Sequence, residues 1–391
     1  MTIYFDNSAT TPVDPRVVAA MAPWQAENFG NPSSLHGPGR RAREAVETAR
    51  AQVAALLGAR PREIVFTGSG TEADNLALLG AIDAADLGPH HLATSAFEHP
   101  AVLETVRALQ ARGVAVSIIP VDGDGLVDPD DVRRVVTPHT RVVSVMAANN
   151  VVGTVQPVDE IGRAAREAGA LFHTDAVQAI GKLSFDVAAE PIDLLSLSAH
   201  KLHGPKGVGT LYIRDGVKLG PIVHGGGQER GLRSATENVA GIVGLGRAAE
   251  LAAAEMADDN ARLVALRDRL IASVFAACPQ GYLIGHPRRR LPGHVCLGFA
   301  DQEGEAIRLL LALDEAGVAA STGSACGASH SAEPSYVLQA MGFDPFRARG
   351  ALRLTLGRFN TEAEVDRVAE ILPGLVGGLR PIATARRRSQ R

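Results

Sequence analysis

The sequence predicts an α/β protein of two domains, the larger of which is a mostly parallel β-sheet sandwiched by helices. Strand-like and helix-like segments alternate from about residue 60 to residue 215, as in parallel sheets that are covered on both faces. A long, alanine-rich amphipathic helix then runs from Gly241 to about Val274. The C-terminal segments predict a smaller α+β domain, and a chain of 391 residues is long enough to bury both cores.

Six segments of the larger part are predicted to be strands, because each is a short apolar run bounded by turn residues. They are 63–67, 91–94, 114–119, 141–146, 171–175 and 194–198. Helices are predicted between them at 72–79, 100–107 and 158–166, and the second begins with a proline in a permitted first-turn position. Ligands of such sheets bind at the carboxyl ends of the strands, where the unusual residues of this chain also cluster.

The C-terminal part is predicted to begin after a turn-rich, basic boundary loop from Gly281 to Arg290. Strands at 294–299 and 351–355 and a helix at 305–316 follow this loop. The last helix opens with Thr361-Glu-Ala-Glu364, which is the pattern of a capping box. The basic tail at 386–391 is expected to be frayed and solvated.

The composition is that of an ordinary soluble globular protein, with 46% hydrophobic and 21% charged residues. A net charge of −4 gives no reason to expect a general nucleic-acid-binding surface. No apolar stretch is long enough to cross a bilayer, and the first residues lack the features of a secretory signal. Cys278, Cys296 and Cys326 form no C-x-x-C pair, and their odd number argues against a disulfide framework. We therefore expect a reduced, cytoplasmic protein.

The most informative residue is a lysine that follows a predicted buried strand. Lys201 lies in Ser198-Ala-His-Lys201, just after the apolar run that ends at Ser198. A partly desolvated lysine can be a neutral, nucleophilic amine that forms a Schiff base. A second apolar strand, 26 residues earlier, ends on Asp175. An amine for an aldehyde and a carboxylate for a pyridinium nitrogen are the protein groups that pyridoxal 5′-phosphate (PLP) requires.

A glycine-rich turn, Thr67-Gly-Ser-Gly-Thr-Glu72, joins a predicted strand to the N-terminus of a helix. Free backbone N–H groups and the helix dipole suit such a turn to a phosphate. The alternative is a plain glycine turn with a threonine cap. The spacing differs from that of a P-loop and no lysine follows, which argues against an ATPase.

Ser198 and His200 flank Lys201, and both side chains are able to donate a hydrogen bond to the same phosphate. The alternative for His200 and His203 is a pair of metal ligands. Their spacing falls in a Gly/Pro-rich turn rather than on a helix, which disfavours a metal site.

Three more polar positions follow predicted strands, and each has a structural alternative. His99, in Glu98-His-Pro100, is suited to stacking on a flat cofactor and moving protons, or to capping a helix. Asn149-Asn150 offers an amide to the phenolic oxygen of the cofactor, or makes an Asx-turn. Gln178, three residues after Asp175, has the same two interpretations.

Two residues of the C-terminal part complete the candidates. Cys326 lies among small polar residues, in Ser321-Thr-Gly-Ser-Ala-Cys-Gly-Ala-Ser329, which is typical of a nucleophile on a flexible loop or of an incidental exposed thiol. Arg353 alternates with apolar neighbours on a predicted strand. Its planar fork suits a substrate α-carboxylate, or a carboxylate of the protein itself.

Taken in order, these motifs resemble those of the cysteine desulfurases that supply sulfur for iron–sulfur clusters, members of the class V aminotransferases among the fold-type I PLP enzymes. The resemblance runs nearly from end to end, and the ordered set is far more specific than any one motif. Its motifs are 4–12, 30–34, 71–75, 98–100, 173–178, 198–201, 204–207, 225–230, 233–238, 323–326 and 353–358. The resemblance implies a seven-stranded sheet in a large PLP-binding domain over 15–257. It also implies a small domain over 1–14 and 258–391 that carries the cysteine loop.

The resemblance implies a role for each residue around the cofactor. Lys201 holds PLP as a Schiff base and moves protons, Asp175 pairs with the pyridine nitrogen, and His99 stacks on the ring. Asn150 and Gln178 contact the phenolic oxygen. The phosphate is held by Gly70, Thr71, Ser198 and His200.

Four further residues gain roles in the same way. Thr236 reaches the phosphate from the second subunit of a homodimer. Asn31 and Arg353 grip the substrate carboxylate, and Cys326 takes the sulfur. The chain departs from the family pattern at Val151, where glutamate is usual, at Ala235, where glycine is usual, and in the order Gly-Ser-Gly of the phosphate turn.

The sequence thus predicts conversion of L-cysteine to L-alanine, with the sulfur left as a persulfide on Cys326. A partner such as an iron–sulfur scaffold or a tRNA-thiolation relay would collect it. A class V aminotransferase or a selenocysteine or C–S lyase is the alternative, and such reactions need no nucleophilic cysteine. A metal-binding protein without catalytic activity is a third hypothesis, which leaves Cys326 without a task.

Overall fold

The computed structural model describes residues 2–85, 89–323 and 334–379. Its strands are β1 (Ile3–Tyr4), β2 (Ile64–Thr67), β3 (His91–Ser95), β4 (Ala115–Ile119), β5 (Thr140–Ser144), β6 (Leu171–Asp175), β7 (Leu194–Ser198), β8 (Gly209–Ile213), β9 (Gly281–Leu283), β10 (His294–Phe299), β11 (Val318–Ala319), β12 (Ser321–Thr322) and β13 (Leu352–Thr355). Its helices are α1 (Pro15–Met21), α2 (Gly37–Leu57), α3 (Gly70–Asp83), α4 (Pro100–Ala111), α5 (Pro129–Val135), α6 (Val158–Glu167), α7 (Val239–Ala277), α8 (Ala306–Glu315), α9 (Tyr336–Ala340) and α10 (Glu362–Gly378).

The larger sheet has seven strands in the order β2-β8-β7-β6-β5-β3-β4. The pairs from β7 through β6, β5 and β3 to β4 are all parallel, and β8 is antiparallel to both of its neighbours. This confirms the mostly parallel seven-stranded sheet. The six strands predicted from the sequence are all present, and their carboxyl ends meet at one edge because they run in the same direction.

The seventh strand, β8, was not predicted. It is five residues long and fully buried, and it follows the glycine-rich turn after Lys201. Gly209 accounts for its close fit, because a Cβ there would lie 2.5 Å from the Ser69 carbonyl carbon. A short apolar run with glycine in it gives a weak strand signal, although here glycine is what lets the backbone approach the phosphate turn.

The long predicted helix is α7, which extends over 39 residues. Its first half buries Ile242 and Leu245 in the core beside the larger sheet, and its second half buries Leu266 and Leu270 in the core of the C-terminal part. One helix therefore contributes to both hydrophobic cores. The predicted domain boundary between residues 257 and 258 lies inside it, and that division stays a prediction.

The smaller sheet is antiparallel, with the order β12-β13-β10-β9. The predicted boundary loop at 281–290 is wrong at its start, because Gly281–Leu283 forms strand β9 on the edge of this sheet. Gly298 of the neighbouring strand explains the pairing, since a Cβ there would lie 2.2 Å from the Tyr282 ring. The predicted capping box is confirmed: the Thr361 side chain accepts a hydrogen bond from the Glu364 N–H, and the Glu364 carboxylate accepts one from the Thr361 N–H.

The N-terminal segment joins the two sheets. β1 pairs in parallel with β11, and the Ser8 N–H donates to the Thr355 hydroxyl oxygen of β13. Three residues later the Thr11 N–H donates to the His200 carbonyl oxygen in the 3-10 turn that follows β7. This segment therefore carries residues 6–11 across the edge of the larger sheet where the parallel strands end. None of the helices in the described ranges combines the length and the apolar character that a membrane span needs.

Candidate active site

A cavity of about 510 Å³ lies at the carboxyl ends of the parallel strands. The predicted residues that line it are Gly70, Thr71, His99, Asn150, Asp175, Gln178, Ser198, His200, Lys201 and Arg353. It is also lined by residues that are not among the predicted site residues: Ser8, Ala9, Thr10, Ser69, Asp74, Met146, Val177, Lys206 and Gly207. The fold thus brings together groups that are up to 345 positions apart in the chain.

Lys201 enters the cavity from the short 3-10 turn Ala199–Lys201 that directly follows β7. Its ammonium donates to the Ala9 carbonyl oxygen at 2.9 Å and to the Ser8 carbonyl oxygen. These two carbonyl partners hold the amine at the cavity wall. The side chain is half-buried, as the sequence predicted for a lysine that leaves a buried strand.

Asp175 ends β6 on the opposite wall and is buried. One of its oxygens accepts from the Val177 N–H at 2.8 Å. Burial raises the pKa of Asp175, and the nearby His99 and Lys201 oppose that rise. A buried carboxylate is suited to pairing with a positively charged ring nitrogen, because such a partner offsets its desolvation.

His99 caps helix α4, as one of its two predicted alternatives states, and it also lines the cavity, while its stacking on a cofactor stays a prediction. Its Nδ1 accepts from the Ala101 N–H at 3.1 Å at the start of α4, so its proton in the neutral form is on Nε2. Burial lowers the pKa of His99, Lys201 lowers it further, and Asp175 opposes this. The imidazole is therefore a neutral ring with a single N–H to donate.

The N-terminus of α3 forms the third wall. Ser69 caps the helix by accepting from the Glu72 N–H at 3.1 Å, while the preceding N–H groups have no partner within the helix. Only glycine fits at residue 70, because a Cβ there would lie 2.8 Å from Val177 Cγ2 and 3.3 Å from Ser198 Cβ. Backbone donors, the helix dipole and the nearby Ser198 thus converge on one place, which suits an anion.

His200 lies beside this anion-binding turn. Its Nδ1 is 3.1 Å from the Thr10 hydroxyl oxygen. Burial, reinforced by the charges of Lys201 and Lys206, lowers the pKa of His200 to about 4. His200 is therefore neutral near pH 7, and Lys206 adds a positive charge to the cavity wall. His203 instead meets the Pro12 carbonyl oxygen at 2.9 Å.

The two asparagines after β5 have different tasks. Asn149 makes the Asx-turn, because its Oδ1 accepts from the Val151 N–H at 2.8 Å and from the Val152 N–H at 3.1 Å. Asn150 lines the cavity. Gln178 donates from Nε2 to the Ser8 carbonyl oxygen at 2.9 Å. Its Oε1 is buried at the cavity and has no hydrogen-bond partner among the described residues, so a polar ligand group is needed to satisfy it.

Arg353 of β13 is 2% exposed and reaches the cavity from the smaller sheet. Its Nη1 donates to the Asn150 carbonyl oxygen at 2.9 Å, and its Nη2 donates to Asp6 Oδ1 at 2.8 Å. Its Nε has no hydrogen-bond partner in the part of the chain that the structure describes. The arginine therefore pairs with a protein acid, as one alternative predicts, and its binding of a substrate carboxylate through Nε stays a prediction.

Two predicted residues, Asn31 and Thr236, lie outside the cavity lining of this chain. Asn31 is exposed and accepts from the Ser33 N–H at 2.9 Å, and it does not line the cavity of its own chain. Thr236 is also exposed and is absent from that lining. Cys326 lies outside the described residues, so its prediction rests on the sequence alone. The missed residues Ser8 to Thr10 belong to a motif that the sequence did single out, but no local pattern shows that this segment crosses the sheet edge.

Comparisons with known proteins agree with this geometry. The sequence profile of the family described as aminotransferase class-V matches residues 3–368. A protein named cysteine desulfurase IscS from Methanosarcina thermophila is 51% identical over 378 residues, which cover 97% of this chain and 93% of that protein. A cysteine desulfurase from Gluconacetobacter diazotrophicus is 49% identical over 383 residues, covering 97% and 95% of the two chains.

Solved structures give the same result. A NifS-like protein superposes with a TM-score of 0.90 at 40% identity, covering 97% of this chain and all of the other. A structure described as SspA in complex with cysteine superposes with a TM-score of 0.81 at 36% identity, covering 92% of this chain and 100% of the other. With sequence and fold in agreement over nearly the whole length, the chain belongs to the class-V aminotransferase family and, within it, to the cysteine desulfurases.

Proposed function

We propose that this chain uses PLP to convert L-cysteine to L-alanine and passes the sulfur to Cys326. The observation that carries the proposal is a single cavity that gathers an amine, a buried carboxylate, a neutral imidazole and a helix N-terminus. Family membership implies the cofactor, and the sulfur chemistry is that of the named relatives.

The residues present fit PLP. The buried Asp175 would pair with the positively charged ring nitrogen. Gln178 Oε1, which has no hydrogen-bond partner among the described residues, would contact the phenolic group together with the Asn150 side chain. Gly70, Thr71, Ser198 and His200 would hold the phosphate, with Lys206 adding charge. When bound, PLP supplies an electron sink for the bonds around the substrate α-carbon.

The chain's own groups then bind the substrate and move protons. Arg353 would hold the α-carboxylate through its free Nε, and Asn31 is proposed to assist from another direction. The Lys201 amine would accept a proton at the α-carbon and return one to the product. His99, which is neutral with its proton on Nε2, would stack on the cofactor ring and stabilise the charge that develops there.

Sulfur transfer is proposed to need Cys326. Its thiolate would attack the substrate sulfur, so that a new S–S bond forms while the C–S bond breaks and its electrons remain on the carbon skeleton. Protonation of that skeleton yields L-alanine, and the enzyme is left with a Cys326 persulfide. L-cysteine and one thiol thus become alanine and one persulfide, with no other oxidant needed.

The decisive experiment incubates the PLP-loaded protein with L-cysteine and measures alanine and the mass of the Cys326 peptide. We expect alanine to appear and this peptide to gain one sulfur atom, and a thiol reductant should then release sulfide. Cys326→Ala should keep the visible absorbance of bound PLP and lose sulfide release, while Cys278→Ala, which changes a buried free cysteine, serves as the control. Keto-acid formation in place of alanine would point to an aminotransferase instead.

The partners and the compartment belong to the same proposal. We expect a homodimer in which Thr236 of each subunit reaches the partner's phosphate site, and its exposure in the single chain supports this. The persulfide would go to an acceptor protein such as an iron–sulfur scaffold. The buried free thiols of Cys278 and Cys296 suit a reducing compartment such as the cytoplasm.

A further inference from the structure

A buried polar row lies behind the cavity wall that carries Asp175. Ser144, His173 and Ser196 come from the neighbouring strands β5, β6 and β7, where Ser144 pairs with His173 and Asp175 pairs with Ser196. All three side chains are fully buried. His173 Nδ1 is 2.9 Å from the Ser144 hydroxyl oxygen, and its Nε2 is 3.0 Å from the Ser196 hydroxyl oxygen. The row ends at Asp74 of α3, to which the Ser196 hydroxyl is hydrogen-bonded.

Asp74 is a second buried acid at the same cavity. It is 1% exposed, it lines the cavity, and its Oδ1 has no hydrogen-bond partner among the described residues. The nearest basic group in the row is His173, whose Nε2 is 3.6 Å from that oxygen, too far for a good hydrogen bond. Burial lowers the pKa of His173 to about 3, so the imidazole is neutral and offers Asp74 no charge.

Two carboxyls that are buried at the same cavity cannot both be ionised without a large electrostatic cost. Asp175 accepts a hydrogen bond from the Val177 N–H, and the ammonium of Lys201 is a nearby positive charge that opposes the rise of its pKa. Asp74 is hydrogen-bonded to the Ser196 hydroxyl, and the titratable groups that face it among the described residues are Asp175 and His173 of β6 and Glu98 before α4. Burial raises the pKa of Asp74 well above its usual value, and a negative charge on Asp175 raises it further.

The geometry points to Asp74 as a neutral carboxylic acid, hydrogen-bonded to the Ser196 hydroxyl that His173 in turn contacts, and acting as a positioning residue for Asp175. In this form it closes the polar row towards the cavity and leaves Asp175 as the anion that faces the cofactor nitrogen. An ionised Asp74 would add a second negative charge to that wall and would change the protonation of any basic nitrogen beside it. The inference rests on the proposed cofactor, but the charge state of Asp74 is a property of the chain alone.

The first test uses the apoprotein and needs no cofactor. A carboxyl that keeps its proton when folded and has a pKa near 3.8 when unfolded makes the folded state less stable as the pH rises above that value. Asp74→Asn removes this dependence without changing the shape of the side chain. We expect the Tm of Asp74→Asn to increase relative to the Tm of the wild type as the pH is raised from about 4 towards 7. A Tm difference that stays constant over this range would overturn the inference.

The second test uses the holoprotein and follows the visible absorbance of bound PLP as a function of pH. Asp74→Asn keeps a neutral polar group, and its titration midpoint should lie within about 0.3 pH units of the wild type. Asp74→Ala removes the polar group, and we expect it to shift the midpoint and weaken PLP binding about tenfold. Asn75→Ala, at the next position of α3, should change neither quantity. Ser196→Ala replaces Asp74→Ala if the latter does not fold.

The outcomes separate the two proposals. A midpoint shift of about one pH unit or more in Asp74→Asn would mean that Asp74 is ionised, and the inference would be wrong. Unchanged midpoints and affinities in Asp74→Ala and Ser196→Ala would remove the positioning role. A wild-type protein that fails to bind PLP would defeat the proposed function, while the apoprotein test of Asp74 would still stand.

Discussion

The larger and the smaller sheet contribute to the cavity in different ways. The larger sheet supplies strand-end residues such as Asp175, which accepts from the Val177 N–H, and Lys201, which donates to the Ser8 and Ala9 carbonyl oxygens. The smaller sheet supplies Arg353, whose guanidinium has the Asp6 carboxylate as an ionic partner. The edge of the larger sheet thus gathers the groups proposed to hold the cofactor, whereas the smaller sheet provides a positive charge that a substrate carboxylate must share with Asp6. Changes at the edge of the larger sheet should therefore abolish the reaction, whereas changes at Arg353 of the smaller sheet should weaken the binding of the substrate.

The largest effect is expected at Lys201. Lys201→Ala should lower turnover of L-cysteine by about a thousandfold or more, because both the covalent attachment of the cofactor and the proton carrier are lost. After borohydride treatment and denaturation, PLP should remain on the wild-type peptide that contains residue 201 and be absent from the variant. Lys206→Ala removes another amine of the same cavity and should keep the fixed cofactor on Lys201. Fixation at any other lysine would contradict the assignment.

The next effect concerns the buried acid beside His99. Burial raises the pKa of Glu98 to about 8, against 4.5 for an exposed carboxyl. A raised carboxyl pKa gives stability at low pH that is lost as the pH rises towards the folded-state value, about 1.4 kcal/mol per pH unit between the two pKa values. Glu98→Gln should therefore become more stable relative to the wild type from about pH 4.5 to pH 8, measured by unfolding of the apoprotein.

The matched control is Glu104→Gln, which changes an exposed glutamate of the helix that starts after His99. Its stability difference from the wild type should not depend on pH in this window. If the stability difference between Glu98→Gln and the wild type is also independent of pH, Glu98 is ionised in the folded protein. The inference that burial keeps this carboxyl protonated would then be wrong.

A smaller effect is expected at Arg353, where the smaller sheet contributes to the cavity. Arg353→Lys keeps the positive charge but loses the planar fork, and one charged hydrogen bond is worth about 1.5–3 kcal/mol. We expect the KM for L-cysteine to rise about tenfold to a hundredfold, with the absorbance of bound PLP unchanged. Asp6→Asn tests the shared charge, and it should lower KM because the substrate carboxylate no longer competes with the Asp6 carboxylate. A fall in kcat with unchanged KM in Arg353→Lys would mean that the smaller sheet takes part in the reaction and does not act through substrate binding alone.

The two sheets also differ in how well their contributions to the cavity could be predicted from the sequence. Asp175, His99 and Lys201 stand at the ends of apolar strands, so strand direction alone places them at one edge. Asn149 and Asn150 are adjacent and identical in type, so their local pattern does not distinguish them. The family resemblance selects Asn150 for the cofactor, and the turn geometry shows that Asn149 is structural and that Asn150 lines the cavity. Asp6 and the segment from Ser8 to Thr10 could not be placed, because they reach the site by pairing with strands more than 300 residues away.

The buried acids mark a second limit of sequence-based prediction. Asp74 looks like an ordinary helix residue in a motif of the family, and Glu98 like the neighbour of a candidate histidine. Their desolvation appears only when α3 and α4 pack on the sheet. Charge states in this site therefore depend on tertiary burial, which no spacing of residues records.

The smallest expected effect compares two equivalent helix caps, one in each region. Ser69 accepts from the Glu72 N–H at 3.1 Å, and Thr361 accepts from the Glu364 N–H at 3.3 Å. Removing either side chain with alanine should cost about 1 kcal/mol of stability, measured by chemical denaturation. Only Ser69→Ala should also weaken PLP binding to the apoprotein, since Ser69 fixes the first turn whose N–H groups face the cavity. Pyridoxal, which lacks the phosphate, should bind Ser69→Ala and Thr361→Ala equally well. If Ser69→Ala weakens pyridoxal as much as PLP, the α3 N-terminus does not serve as the phosphate site, and the contrast between the two caps disappears.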